Sequence, residues 1–235
     1  MFNYSDNELD EKVRLRYDPD CVSVLRAFPG PVRVFGKMAE VTPTMHTFTF
    51  MKEFMFSPRN ISSVVPSSRM LADSMTDAAG VASSPVVVEF GPGTGVITES
   101  IIRKLPEGGT FMAFEINPAF VAVLRKRYPN VQIVHDSAAN ARAHLTEAGI
   151  EYCDCIVSGL PWASFDEGLQ EVLLNAVQDI LRPGGRFVTF TYLQSPLLPS
   201  GKRFKDKLSG RFQQVGKTPT VWLNVPPAFS YYATK

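Results

Sequence analysis

The sequence predicts an α/β fold, a mainly parallel sheet covered by helices on both faces, carried by the chain after Pro85 and preceded by an N-terminal extension. Three observations lead there. From Pro85 onward, short apolar β-rich runs alternate with segments of helical character. A glycine-rich turn, Gly91-Pro-Gly-Thr-Gly95, follows the first of those runs at once. Before Pro85 the texture changes, and Pro29, Pro31, Pro43, Pro58 and Pro66 cut it into short pieces. The domains are therefore drawn as an extension over residues 1–70 and a larger domain over 71–235.

Strands are expected at Val86 to Phe90, Thr110 to Ile116, Val131 to His135, Tyr152 to Gly159 and Arg186 to Leu193. Near-continuous apolar strands of this kind belong in a parallel sheet buried on both faces. Helices are expected between them, at Val96 to Leu105, Pro118 to Tyr128, Ala138 to Ala148 and Asp166 to Leu181. Pro118 suits a first helical turn, where its missing N–H removes no hydrogen bond. Gly108-Gly109 and Pro183-Gly-Gly185 read as turns ahead of strands. Residues 211–235 hold two β-rich runs around Pro226-Pro227, without room for a crossover helix, and should form an antiparallel hairpin at the sheet edge.

In the extension one piece stands apart, Met45-His-Thr-Phe-Thr-Phe-Met-Lys-Glu-Phe-Met-Phe56. On a helix, its Met and Phe side chains would leave only His46, Thr49 and Glu53 as a narrow polar strip. Such a helix either packs on the larger domain as a lid or lies in a membrane interface. The alternation in Thr47-Phe-Thr-Phe50 also permits a strand.

Bulk properties narrow the classes. The chain has 235 residues, and its cysteines, Cys21, Cys153 and Cys155, are too few for a disulfide framework, so a reducing cytoplasmic location is expected. His46, His135 and His144 match no metal-site spacing, and no metal is expected. The opening MFNYSDNELDEK is polar and acidic, and no apolar run approaches the length of a spanning helix, so neither secretion nor membrane spanning is expected. A near-zero net charge conceals a division: residues 182–235 carry nine basic residues against one acidic, a balance of +8. Residues 70–181 carry six against fourteen, a balance of −8. A basic end points to phosphate, on nucleic acid or on lipid, unless Lys202 to Lys207 is simply a solvated helix.

The sequence Val86-Val-Val-Glu-Phe-Gly-Pro-Gly-Thr-Gly95 is a buried strand entering a glycine turn that opens a helix. Open α/β sheets bind ligands at such carboxyl ends, where glycines let backbone approach closely. Glu115, ending the next strand, stands about where such folds hold ribose hydroxyls, and Asp136, followed by Ser137, could accept the exocyclic amine of adenine. A dinucleotide fingerprint needs a small residue at position 96, which here is Val96. Glu89 would repel a pyrophosphate but suits a ligand bearing an ammonium and a sulfonium. S-adenosylmethionine carries both.

On these residues the chain resembles the class I S-adenosylmethionine-dependent methyltransferases, over about residues 85–235, with Leu181-Arg-Pro-Gly-Gly-Arg-Phe-Val188 also typical of them. The resemblance implies a three-layer, Rossmann-like, seven-stranded sheet whose last strand is antiparallel. It assigns Glu89, Gly91, Gly93 and Gly95 to the methionine moiety, Glu115 to the ribose, and Asp136 with Ser137 to the adenine. Phe90, Ile116, Ser158 and Gly159 would complete the cofactor rim. Ser67 would join it through Pro66-Ser-Ser-Arg69, either a cap over the cofactor or a polar turn before a helix starting near Met70.

Ser158-Gly-Leu-Pro-Trp162 lies where amino-methyltransferases acting on nucleic-acid bases carry Asn or Asp, then a proline-containing pair, then an aromatic residue. Serine replaces the amide or acid here, which weakens a base-methylating reading. An alkyl amine, once deprotonated, needs only alignment with the methyl group. Trp162 would then face the methylated ammonium, a contact contributing about 0.5–2 kcal/mol, unless it merely plugs the domain edge.

With Ser63-Val-Val-Pro-Ser-Ser-Arg-Met-Leu-Ala72, Arg186-Phe-Val-Thr-Phe-Thr-Tyr192 and Trp222-Leu-Asn-Val-Pro-Pro-Ala-Phe229, the chain is similar to the bacterial phospholipid N-methyltransferases from about Phe54 onward. That similarity implies in-line methyl transfer from S-adenosylmethionine to a phospholipid or aminolipid, phosphatidylethanolamine or its methylated derivatives. It implies a monomer at the inner face of the cell membrane, with the Met45 to Phe56 helix among acyl chains. Lys202 to Lys207 would meet an anionic membrane surface, each basic contact contributing about 1 kcal/mol. No nucleic-acid partner is expected. Ser158, Trp162 and Tyr192 are the candidate catalytic residues, with Tyr17, Tyr231 and Tyr232 as further candidates for the head group. The rival readings are an rRNA or DNA adenine N-methyltransferase and a membrane-binding protein that keeps the cofactor fold as a sensor.

Overall fold

The computed structural model describes residues 66–235, with side chains from Arg69 onward, and the backbone of two short strands nearer the N-terminus. Those strands, β1 (Val32–Val34) and β2 (Lys37–Ala39), pair antiparallel. The chain divides into two compact units, Met1–Ser57 and Pro58–Lys235. The apolar segment Met45 to Phe56, with Tyr17, lies outside the described residues.

The first described element of the larger unit is helix α1 (Pro66–Ala79). Pro66 to Arg69 form its first turn, so the helix starts four residues before Met70. Strand β3 (Val86–Phe90) leads through the glycine turn to α2 (Val96–Lys104), and β4 (Thr110–Glu115) leads to α3 (Pro118–Arg127). Asn117 caps α3 by accepting the Ala119 N–H at 2.9 Å, with Pro118 in the first turn. After β5 (Gln132–His135), the helix expected from Ala138 begins as a tighter turn, Ala138–Asn140, before α4 (Ala141–Glu147). Strand β6 (Cys153–Ser158) precedes α5 (Glu167–Ile180), whose cap, Asp166, accepts the Leu169 N–H at 2.8 Å. Then follow β7 (Leu181–Tyr192), α6 (Pro199–Arg211), β8 (Gln214–Lys217) and β9 (Ala228–Thr234).

The sheet is seven-stranded, in the order β5-β4-β3-β6-β7-β9-β8. Strands β3 to β7 are parallel, and β9 runs antiparallel to both β7 and β8. The expected hairpin therefore forms with its second strand inserted inward and its first at the edge. Strand β7 starts five residues earlier than Arg186. Its register against β6 jumps from Cys153↔Leu181 to Cys155↔Arg186, so the Pro183-Gly-Gly185 turn is a bulge within a strand. Asp154 holds that bulge, accepting Arg182 Nε at 2.6 Å and the Val86 N–H at 2.8 Å.

Side-chain alternation along β3 sets its two faces. Val88 and Phe90 join a core with Leu145 of α4, Leu174 and Val177 of α5, and Phe204 and Leu208 of α6. Val87 and Glu89 take the other face. Helix α1 packs on α2, β6, β7 and β9, and Thr76 Oγ1 lies 2.9 Å from Ser100 Oγ between the two helices. Every parallel strand delivers its carboxyl end to one rim, and Glu89, Glu115, Asp136 and Ser158 lie at or next to those ends.

Candidate active site

The glycine turn forms where β3 and β6 converge. Gly91 adopts φ 69°, a left-handed conformation costly for residues with a Cβ, and its N–H donates to the Phe114 carbonyl at 2.9 Å. Gly159 donates its N–H to the Phe90 carbonyl at 2.8 Å. A Cβ on Gly159 would lie 2.5 Å from the Gly91 carbonyl oxygen, an approach that backbone cannot relieve by a rotamer change. Gly159→Ala should therefore destabilise the fold by about 3 kcal/mol and lose cofactor binding with it. Thermal melting and equilibrium dialysis check this, and an unchanged melting temperature would contradict it.

Glu89 sits beneath this turn with no exposed surface. Thr98 Oγ1, in the first turn of α2, donates to its Oε2 at 2.7 Å, whereas Oε1 has no partner. Burial raises the carboxyl from an ordinary 4.5 to about 8, with the Thr98 bond opposing that rise. A buried carboxylate oxygen without a donor is unfavourable unless a cation or N–H reaches it. The orphaned oxygen thus fits an ammonium-bearing ligand, and S-adenosylmethionine brings one. Thr98 was missed in the sequence; its signal is its position in the turn of helix that begins as the glycine loop ends.

Glu115 is 7% exposed and spans the rim. Its Oε2 accepts the Gly93 N–H at 3.0 Å and its Oε1 the Asn117 N–H at 2.9 Å. Each oxygen keeps a lone pair that ribose hydroxyls could use. A Cβ at Gly93 would meet nothing within 4 Å, so space opens beside the loop, and Ile116 stands exposed next to it. Phe90 offers the rim backbone alone, because its ring is buried edge-on against Phe114 at 6.0 Å.

Asp136 accepts His144 Nε2 at 2.8 Å, Asn140 Nδ2 at 2.9 Å and the Ser137 N–H at 2.6 Å. The bonds from His144, Asn140 and Ser137, in that order, hold its carboxyl down at about 2. Ser137 Oγ accepts the Ala139 N–H at 3.2 Å and caps the short turn there. The pair expected to hold adenine thus already braces its own loop. His144, which offered no metal spacing in the sequence, proves to be Asp136's ring partner. Ser67 lies in the first turn of α1, and its side chain is outside the described residues.

Trp162 departs from expectation. It is 2% exposed, stacked on Phe204 at 5.1 Å and edge-on to Phe187 at 5.5 Å. Its indole N–H donates to Ser158 Oγ at 2.9 Å, and Gln170 Nε2 donates to its carbonyl at 2.8 Å. A ring so enclosed turns no face to a substrate ammonium. This burial fits the alternative reading, a plug in the domain edge, and Ser158, itself fully buried, accepts the indole N–H as its polar anchor. Tyr192 ends β7 at the rim but is 6% exposed, edge-on to Phe190 at 5.7 Å, with its hydroxyl pKa raised by burial. Tyr231 is likewise buried and Tyr232 half-buried.

Residues 87–185 match a methyltransferase domain family. The chain is 31% identical over 188 residues to the ornithine lipid N-methyltransferase of Singulisphaera acidiphila, covering 79% of this chain and 94% of that protein. It is 36% identical over 94 residues to ribosomal RNA small subunit methyltransferase A of Leuconostoc citreum, covering 37% of this chain and 31% of that protein. Among solved structures, an O-methyltransferase from Bacillus cereus in complex with S-adenosylhomocysteine superposes with a TM-score of 0.56 at 15% identity, covering 82% of this chain and 92% of that one. The seven-stranded sheet, the orphaned acid beneath a glycine turn and a likeness spanning nearly a whole lipid N-methyltransferase agree: this chain belongs to the class I S-adenosylmethionine-dependent methyltransferases.

Proposed function

We propose that the protein transfers methyl groups from S-adenosylmethionine to the amine of an aminolipid head group, with phosphatidylethanolamine and its methylated derivatives as the specific expectation. The observation that carries this reading is the 31% identity extending over 94% of an ornithine lipid N-methyltransferase. The rim supports it. In our assignment Glu89 Oε1 receives the cofactor's ammonium, Glu115 the ribose hydroxyls, and the 136–144 loop borders the adenine, with Ile116 covering it. The cofactor supplies an electrophilic methyl on a sulfonium. The chain's residues hold it, exclude water and align a neutral amine for direct attack.

The domain division follows the same reading, with residues 1–70 as an extension that includes a membrane-facing segment and 71–235 as the methyltransferase domain. The protein would act as a monomer at the cytoplasmic face of the cell membrane. Among the described residues no helix is long and apolar enough to cross a bilayer.

A nucleic-acid reading draws on the 94-residue match to an rRNA methyltransferase. Against it, Ser158 replaces the amide or acid of base-modifying enzymes, and its Oγ already accepts from Trp162 and, at 3.3 Å, from the Leu160 N–H. Incubation with methyl-labelled cofactor and phosphatidylethanolamine vesicles, an ornithine lipid or rRNA separates the cases. Label should enter a lipid; label in RNA alone would reject this proposal.

A further inference from the structure

Two loops at the carboxyl rim are built inside out. In the stretch between β8 and β9, Trp222, Leu223 and Val225 are 69%, 68% and 71% exposed, whereas the polar Asn224 between them is 6% exposed. The Asn224 backbone N–H donates to the Val221 carbonyl at 3.2 Å, and its Nδ2 to the Pro226 carbonyl at 2.7 Å. The loop thus folds around its amide and turns its apolar side chains outward. A loop shaped for water alone would reverse that arrangement. Beside it, the stretch after β7 exposes Leu193, Leu197 and Leu198, the second by 78%. The two loops are joined where the Leu193 N–H donates to the Pro227 carbonyl at 2.9 Å.

Charge frames this apolar surface. Residues 193–201 and 218–227 contain no ionisable side chain, and each stretch is bordered by an exposed lysine, Lys202 after the first and Lys217 before the second. Neither lysine has a salt bridge among the described residues. Helix α6 as a whole is less available than its sequence suggested: Arg203 pairs with Glu167 at 3.1 Å, and Lys207 at 2.9 Å and Arg211 with Glu171, all on α5. Of the basic residues on α6, those without a salt bridge among the described residues are Lys202, beside the apolar loop, and Lys205 one turn further along. Exposed apolar side chains including a tryptophan, edged by lysines, match a bilayer interface, where rings sit at head-group depth and lysines reach phosphate.

We propose that these paired loops are the membrane-docking lip of the catalytic unit and insert into an anionic phospholipid surface. The inference rests on the aminolipid reading above and gives it a geometry. Strand β9 lies three strand spacings from β3, about 14 Å at about 4.8 Å per strand. A lipid whose acyl chains stay among Trp222, Leu197 and Leu223 could extend its head group along the rim toward Glu89 and the glycine turn.

The chain's two tryptophans make the test specific, since Trp162 is 2% and Trp222 69% exposed. The full chain is mixed with vesicles of phosphatidylcholine and phosphatidylglycerol carrying brominated acyl chains, free of aminolipid. Wild-type emission should shift to the blue and be quenched by about half. Trp222→Phe should show neither change, and Leu197→Asp with Leu223→Asp should weaken vesicle sedimentation at least about tenfold while cofactor affinity is kept. Val172→Asp, altering an exposed residue of α5, should sediment as wild type. Absence of quenching, or sedimentation unaffected by the two aspartates, overturns the lip. Quenching without methylation of any aminolipid would keep the lip and reject the proposed activity; methylation without quenching would do the reverse.

Discussion

Replacing Glu89 with glutamine should weaken S-adenosylmethionine binding about 100-fold at pH 8, about 2.7 kcal/mol for a lost charge-assisted bond, while making the ligand-free protein more stable. Both effects follow from one oxygen without a donor. Burial raises the Glu89 pKa to about 8, so its folded value exceeds its unfolded one. Its neutral form is the one tolerated, and the associated stability is fully present below about pH 4.5 and lost as pH rises through 8. At 1.36 kcal/mol per pKa unit, full ionisation costs the empty protein about 5 kcal/mol. Glutamine keeps the Thr98 bond but not the charge. Relative to wild type the variant should therefore gain about 4 kcal/mol between pH 5 and pH 8.5; with a pH-independent penalty of about 2 kcal/mol for its partnerless amide, it should be about 2 kcal/mol more stable at pH 8.5 and about 2 kcal/mol less stable at pH 5.

The same oxygen makes cofactor affinity depend on pH. An ammonium beside Glu89 favours the ionised acid and lowers its pKa, so binding below pH 8 releases a proton. Affinity should rise by up to about tenfold per pH unit between about pH 5 and 8. Calorimetry at pH 6.5, in two buffers of different ionisation heat, would detect that release. A flat affinity with no proton released would remove Glu89 from the ammonium's side.

Trp162→Ala should destabilise the protein by about 4 kcal/mol, the usual effect of removing a large aromatic ring from a packed core. The ring fills space between Phe204, Phe187 and Phe165, and its N–H satisfies Ser158. Losses of methyl transfer and cofactor binding should then track the fraction unfolded. Trp162→Phe, which keeps most of the volume and removes the donor, should cost about 1 kcal/mol and leave turnover of the folded protein near wild type. An alanine variant with an unchanged melting temperature but a selective fall in kcat would return this ring to the substrate.

The difference between these two residues shows what was legible in the sequence. Glu89 could be read because a charged residue in an apolar strand before a glycine turn has few structural roles, and its buried location follows from the strand. Trp162 could not, because an aromatic residue after a strand end looks the same whether it lines a pocket or closes a core. What settles its place is Phe204, more than forty residues later on a helix whose basic residues suggested a solvated surface. Strands β3 to β6 were readable from local apolar runs. The early start of β7 was not, since Pro183-Gly-Gly185 signals a turn, and only pairing with β6 shows that the strand continues through it. Nor does hydropathy reveal that the 218–227 stretch turns its amide inward, which depends on hydrogen bonds closed by the loop itself.

The late insertion of β9 has a consequence for biosynthesis. A chain that stops at residue 227 has β8 with no neighbouring strand and β7 with an open edge, because the strand that joins them, β9, follows both in the sequence. Unpaired edges invite association with other chains. Termination before β9 would therefore release an aggregation-prone chain, even though all five parallel strands had already been made.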